Sequence, residues 1–149
     1  MTPPDPLVHA APLAELAPAV LYDLLRLRVD VFVVEQECAY PELDGRDLEA
    51  ATLLLWTDDE QGVTSTARLL QDPHGVARIG RVATAPRARG RGLAGDILRS
   101  AIQLSGDAPI VLDAQAHLAG WYARFGFAVA GAEFQEDGIP HVPMRRAAA

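Results

Sequence analysis

Apolar residues at positions 20, 21, 24, 25, 27, 31 and 32 repeat every three to four places, the spacing of one helix face. The pattern predicts a helix from Pro18, a residue suited to a first turn, to about Val34. The β-branched run Val29 to Val34 would also suit a strand. No breaker separates it from the helical pattern, so helix is expected to continue. Three strand-like runs follow, at 52–57, 63–70 and 76–85. The short polar turns between them, 58–62 and 72–75, carry Asp, Gly and Pro and predict an antiparallel meander. Helical spacing returns at 93, 97, 98, 101, 102 and 104 and ends near Gly106. A short buried strand at 110–113 would lie parallel to the third meander strand through a right-handed crossover. A helix over 116–125, stopped by Gly126, precedes a hairpin of strands 127–134 and 139–144 about the turn Glu136-Asp137-Gly138.

The remaining stretches complete the outline. Leu7 to Ala10 reads as a short first strand, and Cys38 to Glu49 as a loop or short second helix. Met1 to Pro6, with three prolines, and Arg145 to Ala149 are expected to be loose ends. The predicted architecture is α/β (α+β): one domain over residues 1–149, a mixed, largely antiparallel sheet with helices on its faces.

Composition narrows the function classes. Half of the 149 residues are hydrophobic, enough for one sizeable core. No apolar run reaches membrane-spanning length, and no basic segment followed by an apolar one opens the chain. A single cysteine, Cys38, permits no internal disulfide and fits a reducing, cytoplasmic setting. It reads as a structural thiol. A formal net charge of −7 argues against a nucleic-acid partner. His74, His117 and His141 have no ligand spacing, so no metal site is expected. The charge is uneven: residues 35–60 hold nine acids and one base, whereas residues 78–91 hold five arginines and no acid. The acidic stretch is either a solvated loop or a surface that attracts cationic amines.

The arginine-rich stretch Arg87-Ala88-Arg89-Gly90-Arg91-Gly92-Leu93-Ala94 lies between a strand pattern closed by Pro86 and a helix pattern. Glycines allow positive φ and close approach of a ligand. The helix start offers unpaired N–H groups and the positive dipole end. A phosphorylated ligand is therefore expected, held by the backbone of residues 88–93. Gly90-x-Gly92-x-x-Gly95 with Asp113 also fits the dinucleotide fingerprint. That fingerprint belongs to the first turn of a parallel βαβ unit, and here antiparallel hairpins precede it. No Gly-Lys-Ser/Thr is present, which removes the nucleotide-triphosphate loop.

Arg87-x-x-Gly90-x-Gly92, after a strand ending Arg81-Val82-Ala83-Thr84-Ala85-Pro86, resembles the acetyl-CoA loop of the GNAT N-acetyltransferases. Trp121-Tyr122-Ala123-Arg124-Phe125-Gly126-Phe127 resembles that family's second motif. Residues 28–36, 44–49 and 136–141 are similar to its ElaA-type branch. The resemblance implies the GNAT sheet order and an acetyl group passed from acetyl-CoA to an amine by direct attack on the thioester. It implies cofactor contacts at Val82, Ala83, Thr84, Arg87, Arg89, Gly90, Arg91, Gly92, Leu93 and Ala94. Gln115 stands where many relatives place a cofactor-binding Asn. Tyr122 is the expected acid for the departing thiolate, since a phenol ordinarily keeps its proton to about pH 10. Many members carry an acidic base where this chain has Gly80. Glu35, Asp113, His117 and His141 are the remaining candidates for a base. Small molecules and peptides both qualify as the amine acceptor, and an apolar edge strand near the C-terminus would allow homodimer pairing. The alternative function is a non-catalytic acyl-CoA or phosphate-ligand binding module.

Overall fold

The computed structural model describes residues 7–148, so the expected lead-in at 1–6 lies outside the described residues. Eight strands form one sheet in the order β1 (His9–Ala11), β2 (Leu53–Asp59), β3 (Gly62–Asp72), β4 (Val76–Thr84), β5 (Ile110–Gln115), β8 (Ile139–Arg146) and β6 (Ala128–Val129), with β7 (Phe134–Glu136) paired to β8. Strand β1 (His9–Ala11) pairs with β2 (Leu53–Asp59), and β2 with β3 (Gly62–Asp72), both antiparallel. Asp59 faces Gly62, so Glu60 and Gln61 form the turn of a tight hairpin. Strand β4 (Val76–Thr84) completes the expected meander. Antiparallel strands thus precede the glycine-rich turn, unlike the successive parallel strands of a dinucleotide-binding fold.

Helix α1 (Pro18–Val29) runs directly into a six-residue π-helical segment, Asp30–Glu35. The β-branched stretch is helical, as continuity predicts, but in the wider i→i+5 turn. Helix α2 (Leu93–Leu104) has the predicted bounds and leads to β5 (Ile110–Gln115), parallel to β4. Leu53, Leu54, Leu55 and Trp56 alternate between two clusters, one filled by α1 and one by α2 and the Tyr122 helix. With both faces covered, the strand reads as an unbroken apolar run.

Three expectations are corrected. The helix over 116–125 is a 3-10 turn at Ala116–Leu118 followed by a short α3 (Ala119–Ala123). The strand expected over 127–134 is broken into β6 (Ala128–Val129) and β7 (Phe134–Glu136). Gly131 packs against Pro143 of β8 (Ile139–Arg146), and that proline has no N–H to continue a ladder. Arg145 and Arg146, expected to fray, lie in β8 opposite Val111 and Ile110. Arg146 Nε donates to the Phe125 carbonyl at 3.1 Å, which fixes the strand end. The loop at 38–49 holds one 3-10 turn, Arg46–Leu48.

Candidate active site

The parallel pairing of β4 and β5 spans two registers only, Ala77 with Ile110 and Arg78 with Val111. Beyond them the strands no longer pair, although β4 runs on to Thr84 and β5 to Gln115. A bulge marks the start of this gap. Arg68 faces Gly80 and Thr66 faces Ala83, so Arg81 and Val82 together oppose Ala67. Arg81 takes the left-handed conformation, φ 54°. The strain is held by its side chain, which donates to Glu42 Oε2 at 2.9 Å and lies 5.5 Å from the Tyr40 ring centre.

A cavity of about 460 Å³ occupies the gap. Gly80 and Val82 of β4, Asp113 and Gln115 of β5, and Tyr122 of α3 all line it. Phe32 and Gln36 reach it from the helix that opens the chain, and His141 from β8. The structure thus brings Val82, Gln115 and Tyr122 together. Tyr122 is 7 % exposed, and no hydrogen-bond partner for its hydroxyl lies among the described residues. Burial pushes its phenol up to about 12. At Gly80, an added Cβ would stand 4.0 Å from Arg68 Nε, the one sealed and unpartnered side-chain nitrogen among the described residues.

The four candidate bases separate cleanly. Asp113 and His141 line the cavity; Glu35 and His117 do not. Glu35 is bound to Arg89 Nη2 at 2.7 Å, and His117 is exposed on the turn after β5. Asp113 lies 3.3 Å from Arg78 Nη1.

Ala83 and Thr84 carry β4 past the cavity toward the glycine-rich turn. There Gly90 and Gly92 have φ of 80° and 75°, the conformation that excludes most side chains. Gly92 is the residue before α2, and the first helical N–H with a carbonyl partner is that of Asp96, on Gly92 O at 3.1 Å. The N–H groups from Gly90 through Gly95 have no carbonyl partner among the described residues, as a helix start requires. Nothing stands within 4 Å of an added Cβ at Gly90 or Gly92. A pyrophosphate fits this arrangement of backbone donors and dipole. The arginines are spoken for in part. Arg87 donates to Asp59 at 2.6 Å and Arg89 to Glu35 and the Thr84 carbonyl, whereas Arg91 has only the Arg87 carbonyl.

Sequence reasoning missed the fate of the acid-rich loop. Arg28 is 1 % exposed and donates to Glu42 at 2.6 Å and to Asp47 at 2.7 Å. Arg68 grips Asp44 with two bonds, 2.8 and 2.6 Å. Tyr40 donates to the other oxygen of Glu42 at 2.9 Å. Glu42 and Asp47 are buried on these arginines and, with Asp44, fasten the loop against β3 and the β4 bulge, whereas Glu37 and Glu49 stay exposed. The only sequence signal was three arginines, 28, 68 and 81, inside otherwise apolar or β-rich segments.

An open, mostly antiparallel sheet with a gap of this kind is the fold of the acyl-CoA N-acyltransferases. An acyl-CoA N-acyltransferase from Pseudomonas aeruginosa superposes with a TM-score of 0.89 at 41 % identity, covering 96 % of this chain and all of the other. ElaA of Escherichia coli superposes with a TM-score of 0.88 at 33 % identity, covering 95 % and 99 %. A UPF0039 protein of Mycobacterium tuberculosis is 52 % identical over 136 residues, 89 % of this chain and 87 % of that one. The profile of the acetyltransferase (GNAT) domain matches residues 23–148. The chain belongs to the GNAT acetyltransferase family.

Proposed function

We propose that this protein is an acetyl-CoA-dependent N-acetyltransferase that passes the acetyl group to a primary amine by direct attack on the thioester. The observation that carries the reading is the conjunction of two sites joined by one strand. The turn that follows β4 presents a row of N–H groups without carbonyl partners, and the middle of β4 borders a cavity holding a buried, protonated phenol.

Each group then has a task. The N–H groups of Gly90 to Ala94, which lack carbonyl partners among the described residues, hold the cofactor's pyrophosphate, with Arg91 adding charge. The unpaired edge of β4 at Val82, Ala83 and Thr84 takes the pantetheine arm, and backbone N–H near Val82 polarises the thioester carbonyl. Gln115 borders the same arm from β5. Tyr122 gives its proton to the departing thiolate. The chemistry needs no metal, and no cluster of metal-ligating side chains is found among the described residues.

Gly80 supports a second reading, a binding module without turnover, because the cavity has no carboxylate at that position. Release of free CoA thiol from acetyl-CoA decides between them. With a panel of polyamines, amino acids and peptides, amine-dependent thiol release is expected. Tight acetyl-CoA binding with no amine-dependent release across the panel would establish the binding module instead.

A further inference from the structure

We infer that His141 is the general base that takes the proton from the acceptor's ammonium; this rests on the acetyl-transfer reading above. The cavity wall leaves few groups for the task. Gly80 has no side chain, and Asp113 is held by Arg78 at 3.3 Å. Asp44 is bound twice by Arg68. Cys38 Sγ lies 3.3 and 3.4 Å from the carbonyls of Gln36 and Asp137.

His141 differs from all of these. Its Nδ1 lies 2.7 Å from the Ile139 carbonyl. A carbonyl can only accept, so Nδ1 carries the proton and the neutral ring leaves Nε2 with its lone pair free. The ring is stacked at 5.8 Å on Phe134, its partner across the β7–β8 ladder, which fixes its orientation. On the other side β5 places Gln115 opposite it. Among the described residues, the carboxylate within 4 Å of Nε2 is that of Glu136, 3.7 Å away and more than half exposed. From the β5 and β8 side Asp113, Arg78, Asp137 and Tyr122 face the same cavity, and from the loop and bulge side Cys38, Tyr40, Asp44, Arg46, Arg68 and Arg81.

Proton balance is complete. The acceptor enters as R–NH3+ and gives one proton to His141 Nε2, which passes it to solvent. The freed amine bonds to the thioester carbon and the C–S bond breaks. Tyr122 protonates the sulfur and is restored by the second proton leaving the nitrogen. The products are the amide, CoA thiol and one released proton.

His141→Gln tests this on an acceptor that supports turnover. The expected result is a 10²–10⁴-fold fall in kcat/KM for the amine and loss of the acid limb of its pH profile. KM for acetyl-CoA should be unchanged. An acid limb retained in this variant overturns the assignment. A long-range 1H–15N spectrum of the wild-type protein gives a test that needs no turnover and no variant. Nε2 without a proton in the neutral ring is expected; a neutral ring protonated at Nε2 overturns the assignment. Absence of amine-dependent turnover in the wild type would instead strike at the proposed function, and the ring tautomer would still decide whether His141 is fit to be a base.

Discussion

A buried phenol shifted upward gives two measurable consequences at Tyr122. Burial raises its ionisation from 10 to about 12, so the acid form required for thiolate protonation persists throughout the working range. Tyr122→Phe keeps the ring's edge contact with Phe127 and removes only the proton donor. We expect kcat to fall about 10²–10⁴-fold with acetyl-CoA affinity little changed by calorimetry. The stability sign follows from the same shift. Below pH 10 folded and unfolded chains both hold the proton; between about 10 and 12 only the unfolded chain loses it. The wild type should therefore lose stability over that window in urea titrations, and Tyr122→Phe should lose less. Tyr122 was legible in sequence because its spacing before Gly126-Phe127 survives in a short helix. His141 could be named there only among four candidates. Its hydrogen bond to the Ile139 carbonyl and its place on the cavity wall exist only once β5, β7 and β8 are paired.

Elements were read well where a periodic pattern had one cause. Helix α2 has the predicted bounds because Ile97, Leu98, Ala101 and Ile102 of its apolar stripe serve one core cluster and a positive-φ glycine precedes it. The C-terminal third was harder. Its helix is barely a turn and a half, and prolines 140 and 143 interrupt the ladders that a hydrophobic pattern alone would predict. The turn before α2 gives the sharpest test at this scale. Gly92 has φ 75° and nothing within 4 Å of an added Cβ. Any loss on substitution there therefore reflects backbone conformation and the lost approach of a ligand, rather than a clash inside the protein. Gly92→Val should destabilise the turn by at least about 1–2 kcal/mol, the left-handed penalty of an ordinary residue, and abolish measurable acetyl-CoA binding. Gly92→Asn should keep part of the affinity, since Asn tolerates this conformation. Equal affinities for Gly, Asn and Val by calorimetry would remove the turn from the binding site.

At the scale of the molecule, the net charge of −7 conceals a neutral knot of three arginines and three carboxylates: Arg28, Arg68 and Arg81 with Glu42, Asp44 and Asp47. It fastens α1, the 40–49 loop, β3 and the β4 bulge together beside the cavity, so fold stability and site geometry share one set of bonds. No sequence pattern reveals such a knot, because its members lie up to 53 positions apart, from Arg28 to Arg81. Removing Arg28 leaves Glu42 with only Arg81 and Tyr40, and Asp47 with only Arg68 at 3.4 Å, in a buried cluster one positive charge short. Arg28→Ala should cost about 3–5 kcal/mol, read as a lower urea midpoint. The pH dependence follows from the carboxylates. The Arg68 bonds hold Asp44 well below its usual range. Burial alone would raise Asp47, but the Arg28 and Arg68 guanidiniums outweigh it and hold it low as well. Asp72 behaves alike: burial raises it, and Arg78 and Arg46 more than reverse the effect. A depressed folded value means that the stabilisation is present above the unfolded value, about 3.8, and is lost as pH falls toward the folded one. The urea midpoint should therefore show no contribution from these groups between pH 7 and 5 and fall steeply below about pH 4. Arg68→Met, which removes the strongest partner of Asp44, should start lower and fall less steeply. An equal acid slope in the variant and the wild type would show that the knot does not govern acid unfolding.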